Sequence, residues 1–131
     1  TIALLGVTFK PNTDDMRESP SLSIVPALQQ AGATVRAHDP EGMAVAAQLL
    51  SDVAWCDGPY EAMQDADALV IMTEWNQFRN LDLDRVKAAL RSPTVVDLRN
   101  IYDPAELRGR GFRYTSIGRE AYAKMASYAG E

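Results

Sequence analysis

The residues best placed to do chemistry fall in one loop. Lys10-Pro11-Asn12-Thr13-Asp14-Asp15-Met16-Arg17-Glu18-Ser19-Pro20 carries two cations and three acids directly after an apolar run. Lys10, leaving the end of that run, offers a compact charge to a phosphate. Arg17 offers a planar fork to a second anionic or hydrogen-bonding group. The same residues equally allow both cations to neutralise Asp14, Asp15 and Glu18 on a solvated loop. The segment exceeds the roughly two to six residues typical of a strand-to-helix connection, and long ordered loops usually carry function.

Other chemistry is sparse. Cys56 is the only cysteine and His38 the only histidine, which excludes an internal disulfide and a four-ligand zinc cage. Cys56 ends a short apolar run beside Asp57, a setting for a packed thiol rather than a nucleophile. His38 and Asp39 stand where a dinucleotide-binding domain reads ribose hydroxyls with an acid. That domain also needs G-x-G-x-x-G after its first strand, and this chain has Gly6-Val7-Thr8-Phe9-Lys10-Pro11 instead. Without the fingerprint, His38 and Asp39 read as structural or strand-end caps.

Positioning such residues requires a scaffold, and the hydrophobic pattern supplies one. Six strand-like runs, Ile2–Phe9, Thr34–His38, Val53–Cys56, Ala68–Thr73, Thr94–Leu98 and Phe112–Ile117, alternate with helix-period segments. The first, fourth and fifth are nearly continuous in apolar residues and therefore central; the second and third are more mixed and nearer an edge. Helices are expected at Pro20–Ala31, Glu41–Leu50, Pro59–Gln64, Asp84–Leu90 and Pro104–Arg108, with an amphipathic stretch at Arg119–Tyr128. Ser19 as cap, Pro20 in the first turn and Gly32 beyond the end frame the first helix. Pro26 inside it predicts a bend or a later start. Strict β-α alternation gives an α/β, doubly wound, Rossmann-like parallel sheet of about six strands in the order 3-2-1-4-5-6. Ligands then sit at the carboxyl ends of the strands, where the order reverses between strands 1 and 4.

With 131 residues, 13 Lys+Arg against 18 Asp+Glu and a net charge of −5, the chain makes one domain and is a poor general binder of nucleic acid. No apolar run approaches the ~20 residues of a bilayer span, and a lone thiol suits a reducing cytoplasm. The opening Thr1-Ile2-Ala3-Leu4-Leu5 lies inside an apolar run with no initiator Met, as in a piece of a longer protein.

Phe9-Lys10-Pro11-Asn12-Thr13-Asp14-Asp15-Met16-Arg17-Glu18-Ser19-Pro20 closely resembles the F-K-x-x-T-x-D-x-R-E-S-P segment of the nucleotide-sugar 6-dehydrogenases, the UDP-glucose/GDP-mannose dehydrogenase family. The resemblance continues through Asp39-Pro40, Thr73-Glu74-Trp75 with Phe78, Val95-Val96-Asp97-Leu98-Arg99-Asn100 and Tyr114-Thr115-Ser116-Ile117-Gly118-Arg119. It covers the C-terminal, UDP-binding third of such an enzyme.

The resemblance implies oxidation of a sugar C6 alcohol to a carboxylate with two NAD+, through a catalytic cysteine that lies upstream and is not Cys56. NAD would be held mainly by an N-terminal domain outside this chain, the full-length enzyme would be a homodimer, and the fragment alone would be inactive. Phe9, through its backbone, Lys10 and Arg99 match substrate-binding positions, and Arg17 matches a position approaching NAD. Glu74, Trp75 and Phe78 either border the nucleotide or cofactor, or bury an amphipathic loop against the absent domain. Asp97 reads as orienting Arg99 or capping a turn, and Arg108, Arg110, Arg113 and Arg119 as a solvated face. The segments Lys10–Pro20 and Tyr114–Arg119 lean towards members acting on UDP-glucose. The alternatives are members acting on GDP-mannose or UDP-N-acetylmannosamine, or a stand-alone, non-catalytic nucleotide-binding module.

Overall fold

The first apolar run is half strand and half turn. In a computed structural model of the chain, which describes residues 1–118, β1 covers Ile2–Leu5 and the backbone leaves the extended region at Gly6, φ +86°. α1 (Ser21–Gln30), β2 (Val35–His38), α2 (Met43–Leu49), β3 (Val53–Trp55), α3 (Pro59–Met63) and β4 (Ala68–Ile71) follow. Then come α4 (Asn76–Arg79), α5 (Leu83–Ala89), β5 (Thr94–Asp97), α6 (Pro104–Gly109) and β6 (Arg113–Ser116). All neighbouring strands are parallel, and the sheet order is β3-β2-β1-β4-β5-β6, as the alternation of elements predicts.

Side-chain alternation divides the apolar residues between two cores, one on each face of the sheet. Ala3, Leu5, Leu69, Ile71 and Val95 point into a core shared with Met63, Phe78, Val86 and Leu107. Leu4, Val35, Ala37 and Val70 point into the other, with Val25 and Ala46. Burial on both faces explains why β1 and β4 read as continuous apolar runs. β6, at an edge, alternates exposed Arg113 and Thr115 with buried Tyr114 and Ser116.

Every strand is shorter than its apolar run. Val7, Met72 and Leu98 lie beyond the last paired residues of their strands, yet they are buried or pack on the core from the turns that follow. Hydrophobicity therefore marks burial there, not pairing. α1 starts one residue later than its capping signals predict, with Pro20 at the N-cap and no side-chain cap bond. Ser19, just before Pro20, is buried; its Oγ accepts the Ser21 N–H at 3.3 Å and also donates to the Val7 carbonyl. Pro26 neither delays nor ends the helix. Leu22, whose carbonyl loses its helical donor to the proline, is 36% exposed and within reach of water. The helix closes as expected: Gly32 has φ +101°, its N–H donates to the Gln29 carbonyl, and the Ala33 N–H donates to that of Leu28. α3 and α6 start at Pro59 and Pro104 as expected, and the other helix ends shift by a residue or two. The stretch Arg119–Tyr128, expected to be helical, lies outside the described residues.

Candidate functional site at the carboxyl edge of the sheet

The crevice between β1 and β4 is built by close backbone approach. A Cβ on Gly6 would stand 2.5 Å from the Cβ of Thr73, which follows β4, so only glycine fits this positive-φ turn. Thr73 Oγ1 donates to the Thr8 carbonyl at 2.9 Å, tying the two strand ends together. Gly42, at the start of α2, is equally constrained, because a Cβ there would meet Thr8 Cγ2 at 2.4 Å.

Asp39 lies in the middle of this packing with no exposed surface. Its Oδ2 accepts the backbone N–H of Val7 at 2.8 Å and of Thr8 at 3.3 Å; its Oδ1 accepts those of Glu41 at 3.0 Å and Gly42 at 2.7 Å. The carboxylate thus joins the turn after β1 to the start of α2. His38, beside it, is buried with Nδ1 2.9 Å from the Cys56 carbonyl. Both residues are structural, as the missing glycine fingerprint indicates.

The long loop is folded onto the same turn. Ser19 Oγ and Ser21 Oγ donate to the Val7 carbonyl at 2.5 and 2.8 Å, and Phe9 N–H donates to the Asp15 carbonyl at 2.8 Å. Met16 is buried beneath it. Thr8 Oγ1 donates to the Lys10 carbonyl at 3.0 Å, fixing the backbone from which the Lys10 side chain leaves. Lys10 is exposed, and its amine makes no hydrogen bond or ion pair among the described residues. Arg17 differs. Its Nε and Nη2 donate to the two carboxylate oxygens of Asp15 at 3.0 and 2.9 Å, a fork-on-fork pair. These bonds hold the Asp15 carboxyl down at about 2, and the same partner raises the Arg17 guanidinium. Of the two open readings of this loop, a direct pair with an internal acid describes Arg17; Lys10 forms none, although its charge adds to the lowering of Asp15. A hollow of about 340 Å³ lies against Phe9, Asp15, Arg17 and Glu18.

Arg99 closes the arrangement from the other side. It leaves the end of β5 and spans β4 to reach the loop after β1: Nε donates to the Met72 carbonyl at 2.7 Å and Nη2 to the Phe9 carbonyl at 3.1 Å. Glu74 Oε2 stands 3.4 Å from Nε. Asp97, fully buried, organises the turn that carries Arg99, accepting from the Arg99, Ile101 and Tyr102 N–H groups at 3.1, 2.8 and 3.1 Å and from the Tyr114 hydroxyl at 2.6 Å. It is a turn cap, as its position before Arg99 suggests. A hollow of about 260 Å³ opens beside Arg99, lined by Pro20, Ile24, Met72, Leu98 and Ile117, so the guanidinium borders an apolar recess. Arg99 therefore meets the Phe9 backbone at one edge of the sheet, and Lys10 and Arg17 belong to the loop that continues from Phe9.

Residues 3–104 match the UDP binding domain of the UDP-glucose/GDP-mannose dehydrogenase family. The chain belongs to that family. Its relatives include a UDP-glucose 6-dehydrogenase of Rhizobium meliloti, 58% identical over 118 residues that make up 90% of this chain and 27% of that protein. Among solved structures, an NDP-N-acetyl-D-galactosaminuronic acid dehydrogenase from Methanosarcina mazei superposes with a TM-score of 0.77 at 33% identity, over 90% of this chain and 24% of that one. A UDP-glucose dehydrogenase from Pyrobaculum islandicum gives 0.70 at 33% identity, over 87% and 24%. The chain thus spans about a quarter of the length of the relatives it matches.

A dehydrogenase family implies a nicotinamide cofactor, and the crevice of this UDP-binding domain does not fit one. Both oxygens of Asp39, the carboxylate a dinucleotide ribose would need, already accept backbone N–H groups. The β1 turn carries one glycine instead of a glycine-rich cradle, and two serine hydroxyls occupy the Val7 carbonyl. Arg17 lies outside this crevice, exposed at the surface.

Several residues fall in places the sequence does not indicate. Trp75 is 5% exposed and Phe78 wholly buried in this domain's own core, Phe78 within the short helix α4. Phe78 is thereby taken up by this domain's own core, whereas Trp75 also lines a hollow of about 470 Å³ with Asn12, Thr13, Asp14 and Glu41, and its buried Nε1–H has no hydrogen-bond partner among the described residues; Glu74 stands beside Arg99. Cys56 is buried, and burial pushes its thiol upward, with Glu61 adding to the effect. Arg110 pairs with Asp84 and Glu106 on the surface, Arg113 is exposed, and Arg108 Nη2 donates to the Tyr114 carbonyl; Arg119 lies outside the described residues. Thr8, Thr73 and Gly42 shape the crevice without a signal in the sequence, since their partners are brought near only by the fold.

Proposed function

We propose that residues 1–131 form a single nucleotide-sugar-binding domain, part of a longer NAD-dependent UDP-glucose 6-dehydrogenase that oxidises UDP-glucose to UDP-glucuronate. In this reading Lys10 and Arg99 receive the diphosphate, and the Phe9 backbone lines its seat. Arg17, displayed by Asp15, reaches towards NAD+ held mainly by an N-terminal domain outside this chain. No helix among the described residues is long and apolar enough to cross a membrane, which suits a cytoplasmic enzyme; the full-length protein would act as a homodimer. The domain alone turns nothing over, because the catalytic cysteine belongs to another segment and Cys56 is a buried thiol.

The observation that carries the reading is the bond from Arg99 Nη2 to the Phe9 carbonyl. It brings a guanidinium from β5 to the backbone next to Lys10, on the β1 loop at the switch point, where doubly wound sheets bind ligands. The test is calorimetric titration of the 131-residue chain with UDP. Lys10→Ala and Arg99→Ala should each weaken binding about tenfold or more, since a charge-assisted hydrogen bond to phosphate contributes roughly 1.5–3 kcal/mol. Arg17→Ala should leave UDP affinity nearly unchanged. Unaltered UDP titrations in the first two variants would remove their assigned role. UDP-glucose is preferred over the sister substrates because the relative at 58% identity is a UDP-glucose 6-dehydrogenase; the recess beside Arg99 alone does not choose among sugars.

A further inference from the structure

Arg99 is held by main chain, not by its acid. The single hydrogen on Nε is committed to the Met72 carbonyl at 2.7 Å, and Nη2 donates to the Phe9 carbonyl at 3.1 Å. Glu74 approaches the same Nε at 3.4 Å, with no Nε hydrogen left for it. Its contact is one of charge alone. Both side chains are about seven-tenths shielded from solvent, Arg99 at 30% and Glu74 at 27% exposure, so their attraction is screened less than that of a surface pair. Glu74 is thus not needed to place the guanidinium. It cancels much of the guanidinium's field where an anion would sit.

We propose that Glu74 is an internal counter-ion that limits how tightly the Arg99 end of the site grips a diphosphate. The proposal rests on the reading that Lys10 and Arg99 receive the phosphates of a nucleotide. Its chemical sense follows from the reaction proposed for the longer protein. Oxidising an alcohol to a carboxylate adds a negative charge, so product would leave slowly from a seat with undiminished positive field. A carboxylate already beside the guanidinium weakens retention of substrate and product alike without displacing any ligand. It also raises the penalty for each further negative charge that enters.

The experiment compares the 131-residue chain with Glu74→Gln and Glu74→Ala in titrations with UDP, inorganic pyrophosphate and uridine at one fixed ionic strength. Removing one charge several ångströms from a diphosphate in a partly shielded crevice should tighten UDP and pyrophosphate about three- to tenfold. Uridine, which carries no phosphate, should bind as before. The gain should persist when Glu74→Gln is combined with Arg99→Ala, because the repulsion between the Glu74 carboxylate and a phosphate acts directly through space. Circular dichroism melts establish that each variant is folded, and the two substitutions give independent routes to the same charge change. Equal or weaker UDP binding in folded Glu74→Gln and Glu74→Ala overturns the proposal, as does an equal gain for uridine. If Lys10→Ala and Arg99→Ala weaken UDP while the Glu74 variants do not tighten it, this inference alone falls. If the cation variants leave UDP affinity unchanged, or no variant binds UDP or pyrophosphate, the parent reading falls with it.

Discussion

Asp39→Ala should be among the most destabilising single changes in this domain, and its size follows from the bonds Asp39 makes. Among its four backbone donors, the N–H groups of Val7 and Gly42 are buried and short, at 2.8 and 2.7 Å; that of Thr8 is buried and longer, at 3.3 Å; that of Glu41 lies on an exposed residue. Alanine leaves water free to satisfy Glu41 but not the two short buried donors. Each buried N–H left without an acceptor costs about 1–3 kcal/mol. Counting those two in full, discounting the long bond, and allowing for the desolvation of a carboxylate no longer buried, the loss should be about 3–5 kcal/mol. A domain of this size is stable by only about 5–15 kcal/mol, so the variant should melt on the order of 10–20 °C lower. Asp39→Asn keeps one acceptor oxygen but turns an NH2 towards N–H groups, and should fall between. Urea unfolding followed by circular dichroism gives the free energies directly. A loss below about 1 kcal/mol for Asp39→Ala, with unchanged slope, would mean that these donors find other acceptors and that Asp39 does not organise the crevice.

Two other expectations follow from the same edge. Gly6→Ala should destabilise by about 2–5 kcal/mol, since it adds a Cβ 2.5 Å from that of Thr73 at a φ of +86°; a thermal melt within 2 °C of wild type would show that the two strand ends separate easily. The Asp15 carboxyl should titrate near 2 by carbon-detected NMR, returning towards 3.8 in Arg17→Ala, because the Arg17 fork favours its charged form. With the folded value depressed, the support this pair lends the loop is present above the unfolded value near 3.8 and is lost as pH falls through about 2. An Asp15 midpoint near 4 in the wild type would show that the pair does not persist in solution.

The sheet order is legible in the sequence because burial on both faces leaves β1 and β4 without polar side chains, while crossover helices impose a different period between the strands. Strand ends are not legible. Val7, Met72 and Leu98 are as apolar as the paired residues before them, and only Gly6, one glycine in an apolar run, hints that the first strand has stopped. α4 is missed because a single turn of helix, Asn76–Arg79, is too short to show a period. In the site, Lys10 and Arg17 stand out by charge in a long loop, and Asp97 by its place before Arg99. The partners that give them meaning do not. Arg99 meets the Phe9 carbonyl across 90 positions of sequence, and Asp39 meets Val7 across 32. Backbone carbonyls and N–H groups have no residue type to advertise them, so the clamp and the buried carboxylate emerge only when the sheet is assembled. Burial of Trp75 and Phe78 in the local core is hidden for a related reason: an aromatic residue after a strand looks the same whether it faces a ligand or its own domain.

The span of Arg99 has a consequence for how this architecture can vary. One side chain of fixed reach ties the chain after β5 to the chain after β1 across the end of β4. The lengths of those two connections are therefore not independent. An insertion between Gly6 and Phe9, or between Asp97 and Arg99, would carry the carbonyl or the guanidinium out of register. Length changes should be confined to segments outside the clamp, such as Pro11–Asp14, while the short stretches either side of it drift only in tandem.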